Sequence, residues 1–183
     1  MLKYALLGFL NYGPMSGYDL KQLMDQSTAN FWHAKLSQIY VTLKALEAED
    51  MITSSAVTQE SRPDRRVYSI TAKGKADLSK WVNTPDLEIA QSKEPFLLKL
   101  FFSAQISKEN LLSQLRIQRD LHQKILERNK TELAAVIAQT TEQAPHLKKD
   151  ALLWEATRRS GEIIDEAIIR WLDETIEIIN KEF

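Results

Sequence analysis

The segment Leu36-Ser37-Gln38-Ile39-Tyr40-Val41-Thr42-Leu43-Lys44-Ala45-Leu46-Glu47-Ala48-Glu49-Asp50, with the β-branched run behind it, sets the architecture of the front half of the chain. Leu36, Ile39, Leu43 and Leu46 recur at helical spacing and make one apolar face. At about 100° per residue the opposite face carries Ser37, Gln38, Val41, Lys44, Ala45 and Ala48. A solvated helix face usually shows Glu and Lys pairs, whereas this one is short-chained and nearly free of acid. Small, polar and methyl-bearing side chains suit close approach to base edges in a major groove.

After Met51 the pattern changes to strands. Ile52 to Thr58 and Val67 to Thr71 are rich in β-branched and small residues, and between them lies Gln59-Glu60-Ser61-Arg62-Pro63-Asp64-Arg65-Arg66. This predicts a two-stranded hairpin with a long basic tip. Upstream, Leu2 to Leu10 is apolar nearly all round and reads as a buried helix, stopped by Asn11-Tyr12-Gly13-Pro14. Ser16 and Asp19 form a capping-box pattern at the head of a second helix striped with Leu20, Leu23 and Met24 and ended by the polar residues from Gln26 to Asn30. Downstream, Thr71 caps a helix of about Ala72 to Val82, with Leu78, Trp81 and Val82 facing in.

Three short helices followed by a hairpin make a winged helix-turn-helix, whose third helix enters the major groove while the hairpin lies beside it on the backbone. The candidate DNA contacts are Tyr18, Lys35, Ser37, Gln38, Tyr40, Val41, Thr42, Lys44, Arg62, Arg65, Arg66 and Tyr68. Gln38 can pair bidentately with adenine and Val41 can meet a thymine methyl. The arginines and lysines suit phosphate, which holds register while base contacts specify. Each has a plainer reading, as a solvated loop charge or a core aromatic.

Four stretches resemble the PadR-like family of bacterial transcriptional regulators. They are Leu6-Leu7-Gly8-Phe9-Leu10 through Gly17-Tyr18-Asp19-Leu20; Ile39-Tyr40-Val41-Thr42-Leu43-Lys44-Ala45-Leu46-Glu47; Arg66-Val67-Tyr68-Ser69-Ile70-Thr71-Ala72-Lys73-Gly74; and Glu94-Pro95-Phe96-Leu97-Leu98-Lys99-Leu100-Phe101-Phe102. The resemblance covers about the first hundred residues, and the tail resembles the helical C-terminal region of longer members, which include virulence-gene activators. It implies a dimeric, sequence-specific DNA-binding regulator. Where the family usually has Gly just before the first wing strand, this chain has Asp50. The family's namesakes respond to phenolic acids, some relatives bind flat aromatic drugs and other members have no known ligand, so the resemblance leaves open both a small aromatic effector and none.

The polar stretch from Thr84-Pro85-Asp86 to Glu94-Pro95 reads as a linker, so the expected domains are 1–84, a linker 85–95, and 96–183. Phe96 to Phe102 reads as a short apolar helix. Ser107 caps a long helix running to about Thr141, with an apolar stripe from Leu111 to Ile137, and Pro145 breaks it. A final helix of about Leu147 to Asn180 carries Ile163, Ile168, Trp171 and Ile176 among its apolar residues. Two long antiparallel helices cannot cover both apolar faces alone, and a second copy is the simple solution. Such a homodimer presents two recognition helices about 34 Å apart to a palindromic operator. Phe102, Trp154 and Trp171 are the candidates for an effector pocket, against the plainer reading of each as core.

The overall class is mainly α with a small β-hairpin. Composition supports it: 183 residues with only five Gly and five Pro. The absence of Cys removes disulfides, thiolate metal sites and cysteine nucleophiles. Net charge is −1, divided into ten basic against eight acidic residues over 1–84 and fourteen against seventeen over 85–183. No run of eighteen apolar residues exists, so no membrane span is expected. The apolar start, Met1 to Leu10, reads as a buried helix rather than a leader, which places the protein in the cytoplasm.

Enzyme signatures are missing. His33, His122 and His146 have no ligand partner at helical spacing, Pro145 lies within Glu142…His146, and there is no Gly-rich phosphate loop or G-x-S-x-G. Glu162, Asp165 and Glu166 read as a solvated face. No cofactor or metal is expected. The expected function is a transcriptional regulator, with repression as the leading mechanism. Activation, or a helical protein-interaction module without DNA binding, are the alternatives.

Overall fold

The computed structural model describes residues 1–28, 31–59, 62–89 and 93–183, with backbone alone at 57–59 and 62–64. The chain divides into two units, Met1–Ala90 and Gln91–Phe183.

The first unit is built on α1 (Leu2–Tyr12), β1 (Met15–Ser16), α2 (Gly17–Ser27), α3 (Leu36–Ala48), β2 (Ile52–Gln59), β3 (Arg62–Ile70) and α4 (Ala72–Val82). Its core is one cluster containing Leu6, Leu7, Leu10, Leu20, Met24, Ile39, Leu43, Leu46 and Ile52. The apolar faces of all three front helices thus converge at the spacing their sequences prescribe. The capping box opens α2: Ser16 N–H and its hydroxyl both donate to Asp19 Oδ2 at 2.9 Å, and Asp19 N–H donates to Ser16 Oγ at 3.3 Å. On α4, Trp81 stacks on Tyr4 of α1 with ring centroids 4.6 Å apart.

The sheet departs from the sequence expectation twice. It has three strands in the order β1-β3-β2, the extra one pairing Met15 with Tyr68 and Ser16 with Val67. Two residues carry no readable alternation, so β1 is set by β3 offering a free edge. The wing is also longer. Antiparallel pairing continues from Ile52↔Ile70 through Ala56↔Arg66 and Val57↔Arg65 to Gln59↔Arg62. An extra residue on the β3 side, where Pro63 supplies no N–H, is absorbed by a register shift. Arg65 and Arg66 are therefore strand residues and not part of an open tip, while Glu60 and Ser61 lie outside the described residues.

Between α3 and β2 the chain reverses through Asp50, whose φ of 56° is positive, alone among the described non-glycine residues. Aspartate tolerates this left-handed conformation better than most side chains. Asp50 thus holds the positive φ that a glycine at this position would adopt without strain. Gly74 in α4 is needed for a different reason: a Cβ there would lie 2.2 Å from the Met51 carbonyl oxygen.

The second unit comprises α5 (Pro95–Phe101), α6 (Lys108–Arg128), a π turn (Asn129–Leu133), α7 (Ala134–Gln143) and α8 (Lys148–Glu182). Ser107 caps α6 by accepting from Asn110 N–H at 3.3 Å. The single long helix expected to about Thr141 is interrupted by the π turn. Such turns release backbone groups from the regular ladder. The carbonyl of the fully buried Asn129 accepts from Arg158 Nη1 of α8 at 2.9 Å. The core is Leu111, Leu115 and Leu172, with Phe96, Leu100, Ile168, Trp171 and Ile176 packed on it. None of the helices is long and apolar enough to cross a membrane, among the described residues.

The acidic residues of α8 are not a solvated face. Glu162 is 3% exposed and accepts from both Arg158 and Arg159, Asp165 is buried with Oδ1 2.7 Å from His122 Nδ1, and Glu166 pairs with Lys130 at 2.7 Å. They form a polar seam joining α8 to α6 and the π turn. Their basic partners lie three or four residues away on α8, or far off in sequence, where a face-by-face reading misses them.

Candidate nucleic-acid interface

The helix α3 separates two faces, although Leu36, expected on the apolar one, is exposed in its first turn. Ile39, Leu43 and Leu46 are buried, while Ser37, Gln38, Val41, Lys44, Ala45 and Ala48 are exposed, Val41 at 71%. Lys35 stands just before the helix, exposed, and neither Lys35 nor Lys44 has an ion pair among the described residues.

Gln38 has a local duty that the sequence reading did not assign. Its Oε1 accepts from Lys35 N–H at 2.9 Å, closing the first turn of α3. That bond takes one of the two lone pairs of the oxygen, so a bidentate adenine contact by Gln38 would share the oxygen with the Lys35 amide. Thr42 is half-buried and its hydroxyl donates to the Gln38 carbonyl at 2.8 Å, which turns it back along the helix.

Two tyrosines stand on this surface, Tyr40 on α3 and Tyr18 on α2. Tyr40 is 46% exposed, and its ring lies over the first residue of α2. A Cβ on Gly17 would sit 2.6 Å from Tyr40 Cε1 and 2.9 Å from Cζ. The glycine is what lets the ring lie there. Tyr18 follows it on α2 and is exposed. Tyr68, expected among the DNA contacts, is instead 6% exposed and belongs to the core cluster. The inward side of β3 is the apolar side, and burial pushes the Tyr68 phenol above its ordinary range.

The wing arginines are held by carboxylates. Arg66 Nη2 donates to Glu47 Oε1 and Oε2 at 2.9 and 2.7 Å, and its Nε donates to Ser54 Oγ at 2.8 Å. Ser54 donates to Glu47 Oε1 at 2.5 Å, closing a triangle across α3, β2 and β3. Arg65 pairs with Asp19 of α2. The Ser54 hydroxyl and then the Arg66 guanidinium hold the Glu47 carboxyl below its usual range. Burial pushes Asp19 up, but the Ser16 amide and hydroxyl and Arg65 outweigh it, and the carboxyl is lowered. Arg62 is the third expected wing contact, and its side chain lies outside the described residues. Asp19, Glu47, Ser54 and Gly17 are the residues of this surface that the sequence reading missed. Their partners are 7 to 46 positions away in sequence, beyond any local pattern.

The effector candidates are not brought together. Trp154 and Trp171 lie on the same helix seventeen residues apart, about 25 Å along its axis, so they cannot line one pocket within a chain. Trp171 packs on the Leu111–Leu115–Leu172 core, and Phe102 is exposed, edge-on to Phe101. An open groove of about 780 Å³ between α7 and the start of α8 is floored by Ile137, Ala138 and Leu152, and none of the three aromatics lines it. No group of His, Asp and Glu able to hold a metal occurs among the described residues.

Residues 6–80 match the model of the transcriptional regulator PadR-like family, and residues 92–180 match the virulence activator alpha C-term model. The negative transcriptional regulator PadR of Bacillus subtilis is 28% identical over 185 residues, spanning 100% of this chain and 99% of that protein. The crystal structure of B. subtilis PadR in complex with operator DNA superposes with a TM-score of 0.78 at 25% identity, covering 97% of this chain and 98% of that one. The same protein has been solved with p-coumaric acid, with a TM-score of 0.75, 25% identity and coverage of 98% and 99%. The Vibrio cholerae virulence activator AphA shares the fold, with a TM-score of 0.72, 24% identity and 98% coverage of both chains.

Proposed function

This chain belongs to the PadR-like family of transcriptional regulators, and on that premise we propose that it binds operator DNA as a homodimer and represses transcription. The observation that carries the reading is the outward face of α3: short, exposed, acid-poor side chains, with two lysines at its margins that have no ion pair among the described residues, and the wing alongside. That surface fits a major groove, with Val41 and Ser37 near base edges and Lys35, Lys44 and Tyr40 near phosphates. Repression is favoured over activation because a relative matched end to end at 28% identity is a negative regulator, while the activator AphA matches at 24%.

Dimerisation is supported by what the second unit leaves uncovered. Leu97, Leu98, Phe101, Ile117, Leu121, Leu152, Leu153, Ile163 and Ile164 are all exposed on its helices. So much apolar surface favours a partner, and a second copy supplies the same surface in return. The operator is then a palindrome with half-sites about one duplex turn apart. A small aromatic acid is the proposed effector, since a full-length relative binds p-coumaric acid. The protein then works in the cytoplasm, where the bacterial chromosome lies.

Selection of duplexes from a random pool by the full-length protein, followed by sedimentation of the complex, tests the reading. The expected product is an inverted repeat bound by two chains. Failure to enrich any sequence would refute it.

A further inference from the structure

Two guanidinium groups stand at the root of the wing, and each is matched by a carboxylate of the helix-turn-helix: Arg66 by Glu47 of α3, and Arg65 by Asp19 of α2. Glu47 is one turn beyond Lys44 on the helix assigned to the groove, and Asp19 lies in the first turn of α2 beside Tyr18 and the Tyr40 ring. Acid placed there opposes a polyanion and cancels the charge of the arginine it holds. Surface pairs of this kind contribute little to stability, so the fold gives no strong reason for them. Lys35 and Lys44, by contrast, are exposed and have no ion pair among the described residues. The surface therefore contains two classes of cation, free amines and paired guanidiniums.

We propose that Glu47 and Asp19 are specificity-determining residues of the DNA interface: by pairing with Arg66 and Arg65 they withhold two guanidinium charges per protomer from sequence-independent attraction to phosphate. The inference rests on the DNA-binding reading above. Each uncompensated cation that meets a phosphate steepens the dependence of log K on log salt by about 0.9. A neutral pair adds nothing unless a phosphate displaces the carboxylate. Displacement has to break three hydrogen bonds at Arg66 and therefore needs a phosphate held at a defined position. Only a duplex docked in its proper register holds one there. Random duplex is bound loosely in many registers and does not. Discrimination is a difference between two affinities, and lowering the weaker one raises it.

Glu47→Gln is the informative change, because Asp19 also closes the capping box of α2. Glutamine keeps the size of the side chain and an oxygen that accepts from Ser54. The full-length protein is titrated against a random-sequence duplex and a duplex selected by the wild type from a random pool, over a range of salt. E47Q should melt as the wild type does. It should bind the random duplex more tightly, by about eightfold per engaged protomer at 0.1 M salt relative to 1 M, with a slope steeper by about 0.9. Its preference for the selected duplex should fall. The double variant E47Q/R66Q should return the slope to the wild-type value. An unchanged slope in E47Q, equal weakening on both duplexes, or a double variant that keeps the steeper slope would each overturn the proposal. A wild type that binds neither duplex overturns the regulator reading as well, whereas a wild type that binds, with E47Q indistinguishable from it, overturns this inference alone.

Discussion

Replacing Gly17 by alanine isolates the role of the Tyr40 ring. The new Cβ would fall 2.6, 2.9 and 3.3 Å from three ring carbons, against the 3.5–4.0 Å at which carbon atoms rest. Relief needs a movement of about 1 Å. The helix backbone at Gly17 is tied by the Ser16–Asp19 box, so the ring must yield. Tyr40 is half-exposed, so the ring can swing toward solvent and the cost to the fold is less than the roughly 1–3 kcal/mol of true overpacking. The cost to DNA binding is different. If the phenol donates to a phosphate, displacing it loses a hydrogen bond to a charged group, about 1.5–3 kcal/mol, or roughly ten- to a hundredfold per half-site. Thermal melting and DNA titrations on G17A, Y40A and G17A/Y40A make the assay. G17A should melt within a few degrees of the wild type yet bind DNA as weakly as Y40A, and in the Y40A background the alanine should change nothing further. A second loss of binding when G17A is added to Y40A would refute the steric argument, because the clash would then have no ring to act on.

Three other outcomes follow from the same geometry. Gln38→Glu keeps an N3 acceptor for the Lys35 amide and should preserve stability while impairing operator binding, whereas Gln38→Ala should lose both, at about 0.5–2 kcal/mol of stability; Q38E that binds normally would remove Gln38 from the interface. A stop after Pro145 removes α8 and uncovers Leu111 and Leu115, so the dimer should dissociate and operator affinity fall at least a hundredfold, within the avidity range of about 10²–10⁴; a truncate that sediments as a dimer and binds equally well would place the interface elsewhere. The Asp19 and Glu47 carboxyls are both lowered in the folded protein, so their stabilising effect is complete above the ordinary carboxylate pKa of about 4 and disappears as pH falls through the folded values; NMR of the Arg65 and Arg66 side chains should show them still held at about pH 4 and released only as pH falls further, and side chains already released at about pH 4 would contradict the pairing.

The helix α3 was legible because one physical rule governed it. Ile39, Leu43 and Leu46 are apolar at the helical period and nothing else competes for them, so the outward face followed by subtraction. The Ser16–Asp19 box was legible because both partners are local. What stayed hidden depends on contacts between distant segments. The strand β1 exists because β3 has a free edge, Tyr68 is inward because of that sheet's pleat, and Arg65 finds a carboxylate 46 residues away. The composition of 59–66 reads as a loop since charge and proline favour loops, yet Gln59 pairs with Arg62, and Arg65 and Arg66 pair with Val57 and Ala56. Trp154 and Trp171 looked like pocket walls by residue type alone, a signal that carries no distance.

The π turn at 129–133 sets how changes of length act on the tail. In a uniform α-helix, losing one residue turns everything beyond it by about 100° and carries its apolar side away from its neighbours. A π turn already holds one residue more than the regular winding needs. Deleting a residue within it heals the helix and leaves the faces of α6 and α7 pointing as before, at the expense of the Asn129–Arg158 contact. Here the chain has a place where it can shorten by one without rephasing, so chains one residue shorter at this point keep both flanking stripes in step.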